Sequence, residues 1–174
     1  MTTSPPRLRK ALLTAHVTAS VGWLGAVAGF LALSVAGLTS QDAQTVRATY
    51  LAMEATGWFV LVPFSLASLL TGVAQSLGTK WGLFRHYWVL VKLLINVIAT
   101  IILLLYMQTL SSLAGVATEP ILDLSGPTDP SPVLHAGAAL LLLLVATTLA
   151  VYKPRGMTRY GQRKQHEERT AAQS

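Results

Sequence analysis

An all-α integral membrane protein is the fold class this sequence predicts, arranged as a four-helix bundle with both termini on the cytoplasmic side. Three observations predict it. Hydrophobic residues make up 52% of the 174-residue chain and charged residues only 11%, against about a quarter charged in a soluble domain of this size. Four apolar segments are each long enough to cross a hydrocarbon core of about 30 Å, which takes roughly 20 helical residues. Lysine and arginine gather beside alternate ends of those segments, as the positive-inside rule requires of an even number of spans.

The segments lie near 11–38, 48–77, 87–113 and 133–153. The first has an apolar run nearly twice the 7–15 residues of a signal-peptide core, so it is expected to be a retained span. The second is the weakest by hydropathy, because Glu54, Pro63 and Gln75 interrupt it. Pro63 removes one backbone hydrogen bond and predicts a kink that frees the Phe59 carbonyl. The third carries Ile101-Ile102-Leu103-Leu104-Leu105 and the fourth Leu140-Leu141-Leu142-Leu143-Leu144. Such runs lack the alternation of barrel strands and suit helices, which satisfy their backbone groups internally.

Charge orients the spans. Arg7, Arg9 and Lys10 precede the first, Lys80 and Arg85 lie between the second and third, and Lys153 and Arg155 close the fourth. The opposite connections hold Gln41, Asp42 and Arg47, and then Glu119, Asp123 and Asp129 without Lys or Arg. Residues 1–153 therefore form the membrane domain, and 154–174 a polar cytoplasmic tail that rests near anionic headgroups or is disordered. The net charge of +6 is that of membrane orientation, and no nucleic-acid partner is expected. A multi-pass position in the cell membrane follows, with the bilayer as the first partner.

The absence of cysteine excludes disulfides, thiolate metal ligands and cysteine nucleophiles. There is no glycine-rich phosphate loop, and no Ser/His/Asp set falls at one depth, so nothing points to an enzyme. The informative residues are polar ones inside the spans, since an ionisable group at a bilayer centre costs at least about 2.5 kcal/mol and should face the bundle interior. At 100° per residue, Lys92, Asn96, Thr100 and Met107 share a face of the third helix, and Glu54, Gly57, Ser65, Ser68, Gly72 and Gln75 form a stripe on the second. His135, Ala139, Leu142, Ala146 and Lys153 share a face of the fourth. On the first helix His16, Ser20 and Trp23 lie on one side and Gly22, Gly25 and Gly29 on the other. The glycines can accommodate a neighbouring helix, or, if His16 points inward, pack against a second copy of the chain.

Rise per residue sorts these groups into two layers. His16 and Lys92 fall about 10 Å to the cytoplasmic side of the midplane, a candidate cofactor-binding pair. Glu54, His135 and Met107 fall about 12 Å to the outer side. A carboxylate, an imidazole and a thioether at one level can hold copper, the soft Met favouring Cu(I), or the acid and imidazole can bond to each other. Haem b between paired histidines is the other cofactor weighed, but His16 and His135 are about 25 Å apart in depth, too far for one iron.

A resemblance joins these readings. His16 followed by Trp23-Leu24-Gly25, and a third helix opening Tyr87-Trp88-Val89-Leu90-Val91-Lys92-Leu93-Leu94, resembles a group of small bacterial predicted integral membrane proteins of unknown function, distantly similar to the copper-resistance D (CopD) membrane domain. The likeness covers the first three helices. It implies His16, Trp23, Gly25 and Lys92 as family-like positions, while the His- or Met-rich outer ligand sets of a dedicated copper importer are absent. Three functions stay open: a non-enzymatic protein that assembles with itself or a membrane partner, a carrier or accessory protein for copper or another small cation, and a haem-bearing redox subunit.

Overall fold

The computed structural model describes residues 5–77, 83–118, 129–154, 156–171 and 173. Lys80, Glu119, Asp123 and Arg155, used above to orient the spans, lie outside them. Four helices are long and apolar enough to cross a membrane: α1 (Pro6–Thr39), α2 (Ala43–Leu77), α3 (Tyr87–Thr118) and α4 (Ser131–Tyr152). A fifth, α5 (Arg159–Ala171), is short and polar.

Each span outruns the apolar segment that announces it, except at the end of α4. Pro5 and Pro6 start α1 at a point where a missing N–H costs nothing. Asp42 caps α2, accepting from the backbone N–H groups of Gln44 and Thr45, which carries the helix start five residues ahead of the apolar run. The Thr45 hydroxyl, and then its backbone N–H, hold the exposed Asp42 carboxyl below the usual carboxylate range. Lys153 ends α4 with a φ of 45°, and its N–H returns to the Leu149 carbonyl. Beyond it α5 docks against the turn before α3, where Thr158 donates to the carbonyls of Phe84 and Arg85 and Arg85 pairs with Glu168.

Pro63 acts through helix register. Residues Gly57–Leu61 form a π-helical turn immediately before it, closed by the Val62 N–H bonding to the Gly57 carbonyl. Because Pro63 cannot donate to Phe59, the ladder slips by one residue there. The slip presents Gly57 to α3, where its missing side chain makes room for the Met107 thioether; a Cβ on Gly57 would lie 2.7 Å from Met107 Sδ and Cε.

The helices pack in a ring, with α1 and α3 each touching both α2 and α4. The shared core is formed by Trp23, Val27 and Phe30 from α1, Tyr50, Met53 and Leu61 from α2, Tyr106, Met107 and Leu110 from α3, and Leu143 from α4. Between spans, lipid tails are as apolar as these side chains, so close packing and interhelical hydrogen bonds hold the bundle rather than escape from water. The inner face of α1 is settled: His16, Ala19, Trp23, Val27, Phe30 and Ser34 are buried. Gly25 and Gly29 have open space beside them, whereas Gly22 packs against the Phe64 ring. On α4 the buried line is Pro132, Ala136, Leu143 and Ala146, about one residue round from the face expected, and His135 is exposed. Five consecutive leucines contain no apolar–polar contrast to define a face, so packing sets the rotation.

Candidate functional site

The two ends of the bundle differ in charge. Arg7, Arg9, Lys10, Arg85 and Lys153 lie at the end that carries the N-terminus, while Asp42, Glu54 and Asp129 lie towards the other. Into the basic end opens a cleft of about 400 Å³ bounded by all four spans; Arg9, His16, Gly72, Gln75, Trp88, Lys92, Asn96 and Lys153 are among its lining residues, and among the described residues no carboxylate lines it.

His16 and Lys92 form its floor. They reach across the diagonal of the ring and meet with Lys92 Nζ 3.1 Å from His16 Nε2. The other ring nitrogen, Nδ1, lies 3.1 Å from both the Ser68 carbonyl and Thr71 Oγ1. A carbonyl only accepts, so Nδ1 carries the proton and Nε2 is left to accept from the ammonium. Thr71 holds its place by donating to the Ala67 carbonyl at 2.5 Å. Gly72 leaves space for the imidazole: a Cβ there would sit 3.0 Å from His16 Cε1. Beside them Ser20 and Ser68 share a 2.9 Å hydrogen bond, so α1 and α2 are joined by polar contacts at this level.

These bonds leave donors unspent. An ammonium has three N–H groups, and His16 takes one. Neither the other two nor the Asn96 amide has a protein partner among the described residues, although Asn96 is only 6% exposed. Thr100, the next polar residue along α3, is buried with its hydroxyl unpartnered. Among the described residues the Thr100 hydroxyl alone is both enclosed and unpartnered, at a cost of about 1–3 kcal/mol, and it does not line the cleft; the Lys92 and Asn96 donors face the cleft, where a ligand or water can take them. Its charge admits anions: the two acids on this end, Glu167 and Glu168, are held by Lys164 and Arg85.

The outer residues are arranged differently. His135 stacks on Tyr106, ring centroids 4.1 Å apart and 18° from parallel, and its Nδ1 donates to the Ser131 carbonyl of its own helix at 2.9 Å. Tyr106 bonds Ser131 at 2.9 Å. Met107 is fully enclosed and pressed against Gly57. His135 and Met107 line one apolar cavity of about 220 Å³, but Glu54, half-buried on α2, does not. Among the described residues no three His, Asp or Glu side chains converge as a metal site. At the inner layer, the His16 nitrogen that would face an iron is engaged by Lys92.

Sequence spacing singled out His16, Lys92 and Asn96. It missed Thr71 and assigned Arg9 to orientation alone, while Lys153 counted both for orientation and for the inner face of the fourth helix. Arg9 lies seven residues, two turns, before His16 and so on the same face of α1, a signal that was there to be used.

These features define a helical bundle of the multi-pass membrane class with a basic, polar cleft at one end. Comparison with protein-family models, with curated proteins and with solved structures finds no match.

Proposed function

We propose that this chain is a non-enzymatic, multi-pass protein of the cell membrane, with its basic end and both termini in the cytoplasm, and that it holds an anionic ligand in the cleft above His16 and Lys92. The observation that carries this reading is the combination of unspent Lys92 and Asn96 donors with a lining that, among the described residues, holds no carboxylate. The orientation rests on the concentration of basic residues at that end. His16 acts as a positioning group: its Nε2 holds the Lys92 ammonium in the cleft, and its Nδ1–H ties that arrangement to α2.

The test is thermal unfolding of the purified chain in neutral detergent with increasing inorganic phosphate at fixed ionic strength. A ligand that binds only the folded state raises stability by RT ln(1 + [L]/Kd). The midpoint of the wild-type protein should climb with phosphate, and that of Lys92→Met should stay flat. Equal responses from both would overturn the reading.

A second reading concerns assembly. Open space beside Gly25 and Gly29 favours close approach of another copy of the chain through the outer face of α1. Disulfide cross-linking of a Gly29→Cys variant in membranes tests it: a dimer band supports the contact, and monomer alone refutes it.

A further inference from the structure

The cleft does not end at the His16–Lys92 pair. A second cavity of about 280 Å³ shares His16, Val17, Lys92, Asn96 and Ala150 with the first and continues between α1 and α4. Its walls change in character along the way. Beyond the shared residues come Val21, Leu24, Leu143 and Val151, with Ser20 and Thr147 among the few polar groups. Val21 is 63% and Val151 70% exposed, so the rim of this slot lies on the outer surface of the bundle, where acyl chains stand in a membrane. Ala146 and Ala150 explain the gap, because small side chains leave the slot between the two helices unfilled.

We infer that the ligand is an anionic membrane lipid, its phosphate-bearing headgroup in the basic cleft and one acyl chain in the slot between α1 and α4. This deepens the anion-binding reading and rests on it. Three properties of the site select such a molecule. Arg9 and Lys92 meet a phosphate with charge-assisted hydrogen bonds, and basic pockets between spans at the cytoplasmic side suit acidic headgroups. A zwitterionic headgroup would bring its own cation against these residues with no carboxylate to receive it. A soluble anion would fill the polar chamber and leave the apolar slot empty. The lateral opening also gives a lipid a route in that never takes its chains through water.

Native mass spectrometry of the delipidated full-length chain tests the assignment, using phosphatidylglycerol, phosphatidylcholine and glycerol phosphate as probes. The wild-type chain should prefer phosphatidylglycerol over phosphatidylcholine by about tenfold, the order expected for charge-assisted contacts in a partly desolvated site. Lys92→Met should lose that preference and Lys92→Arg keep it. Thr147→Phe, which fills the slot from its exposed side, should lose phosphatidylglycerol yet still take up glycerol phosphate. Undiminished lipid binding by Thr147→Phe, with glycerol phosphate still lost in Lys92→Met, would overturn the lipid assignment and leave the anion reading standing. Binding of every probe unaltered in a Lys92→Met chain of unchanged helicity would overturn both.

Discussion

Replacing Lys92 by methionine separates a residue kept for binding from one kept for stability. The side chain stays long and flexible, so the apolar stem beside the cleft it shares with Trp88 and Asn96 is retained, and the ammonium is removed. Two effects oppose each other. At 1.5 Å per residue, Lys92 lies about 16 Å from the middle of α3 and His16 about 10 Å from the middle of α1, so the pair sits near the edge of the hydrocarbon core. Relieving a charge there gains less than the roughly 2.5–3.5 kcal/mol quoted for a helix centre. Against that, His16 Nε2 loses its donor, at a cost of about 1–3 kcal/mol if nothing replaces it. The cleft opens to the basic end, so water reaches Nε2 and the cost falls at the low end of that range. The net change is within about 1 kcal/mol of zero, or a shift of roughly 2–4 °C in the unfolding midpoint for a chain of this length. The assay is thermal unfolding in detergent followed by helical circular dichroism, with no phosphate present. A fall of more than about 10 °C would refute the reasoning, because it would make the His16–Lys92 bond a principal structural tie of the bundle.

Further predictions follow from particular contacts. Gly161→Ala would drive a Cβ into the Arg85 carbonyl, which is backbone and cannot turn aside; α5 should undock although alanine raises its helix propensity by about 1 kcal/mol, and amide exchange across Arg159–Ala171 should quicken about tenfold or more. Gly72→Val should crowd the His16 ring, and the phosphate-dependent rise in unfolding midpoint should shrink while helicity persists. Thr100→Val removes a buried hydroxyl without a partner at nearly constant volume, so the midpoint should rise, by an amount equivalent to about 1 kcal/mol; a fall would show that the hydroxyl is used. The Asp42 carboxyl is held below its ordinary value of 3.8, first by the Thr45 hydroxyl. A depressed folded-state pKa gives stability that is complete above the ordinary value and is lost as pH falls through the depressed one. Exchange protection in the first turn of α2 should therefore be flat from neutral pH down to about 4 and decline below it, and Asp42→Ala should abolish that decline.

Much of the site's chemistry was legible in the sequence because ionisable residues are so costly in a bilayer that each one inside a span is informative. His16 and Lys92 stood out on that ground, and the third helix showed its inner face through Lys92 and the polar Asn96 and Thr100, in line with Met107. The reading was weaker where apolar sequence carries no contrast. The leucine run of α4 carries no phase, so only its polar residues suggest a face, the one through His135, and the structure exposes His135 on the flank of Tyr106. For Glu54, His135 and Met107 depth gives a shared level but not a rotation: His135 and Met107 line one cavity whose lining does not include Glu54. Met107 turns towards Gly57 because a π turn ahead of Pro63 brings a side-chain-free surface to it.

Length, hydropathy and the placement of charge are properties of each segment alone, and they were enough to determine the number of spans, the helical class and which end of the bundle is basic. The tail of 154–174 shows where such properties stop, since its polar composition did not reveal that α5 docks through Thr158 and Gly161 on the turn before α3. The cleft likewise depended on tertiary structure. Its donors come from four helices, and whether Lys92 meets His16, whether Asn96 is left without a partner, and whether small residues of α4 leave a slot beside α1 are all matters of helix rotation and spacing. Those are fixed by packing among spans whose surfaces are equally apolar, where differences of shape, rather than of polarity, decide which contacts form.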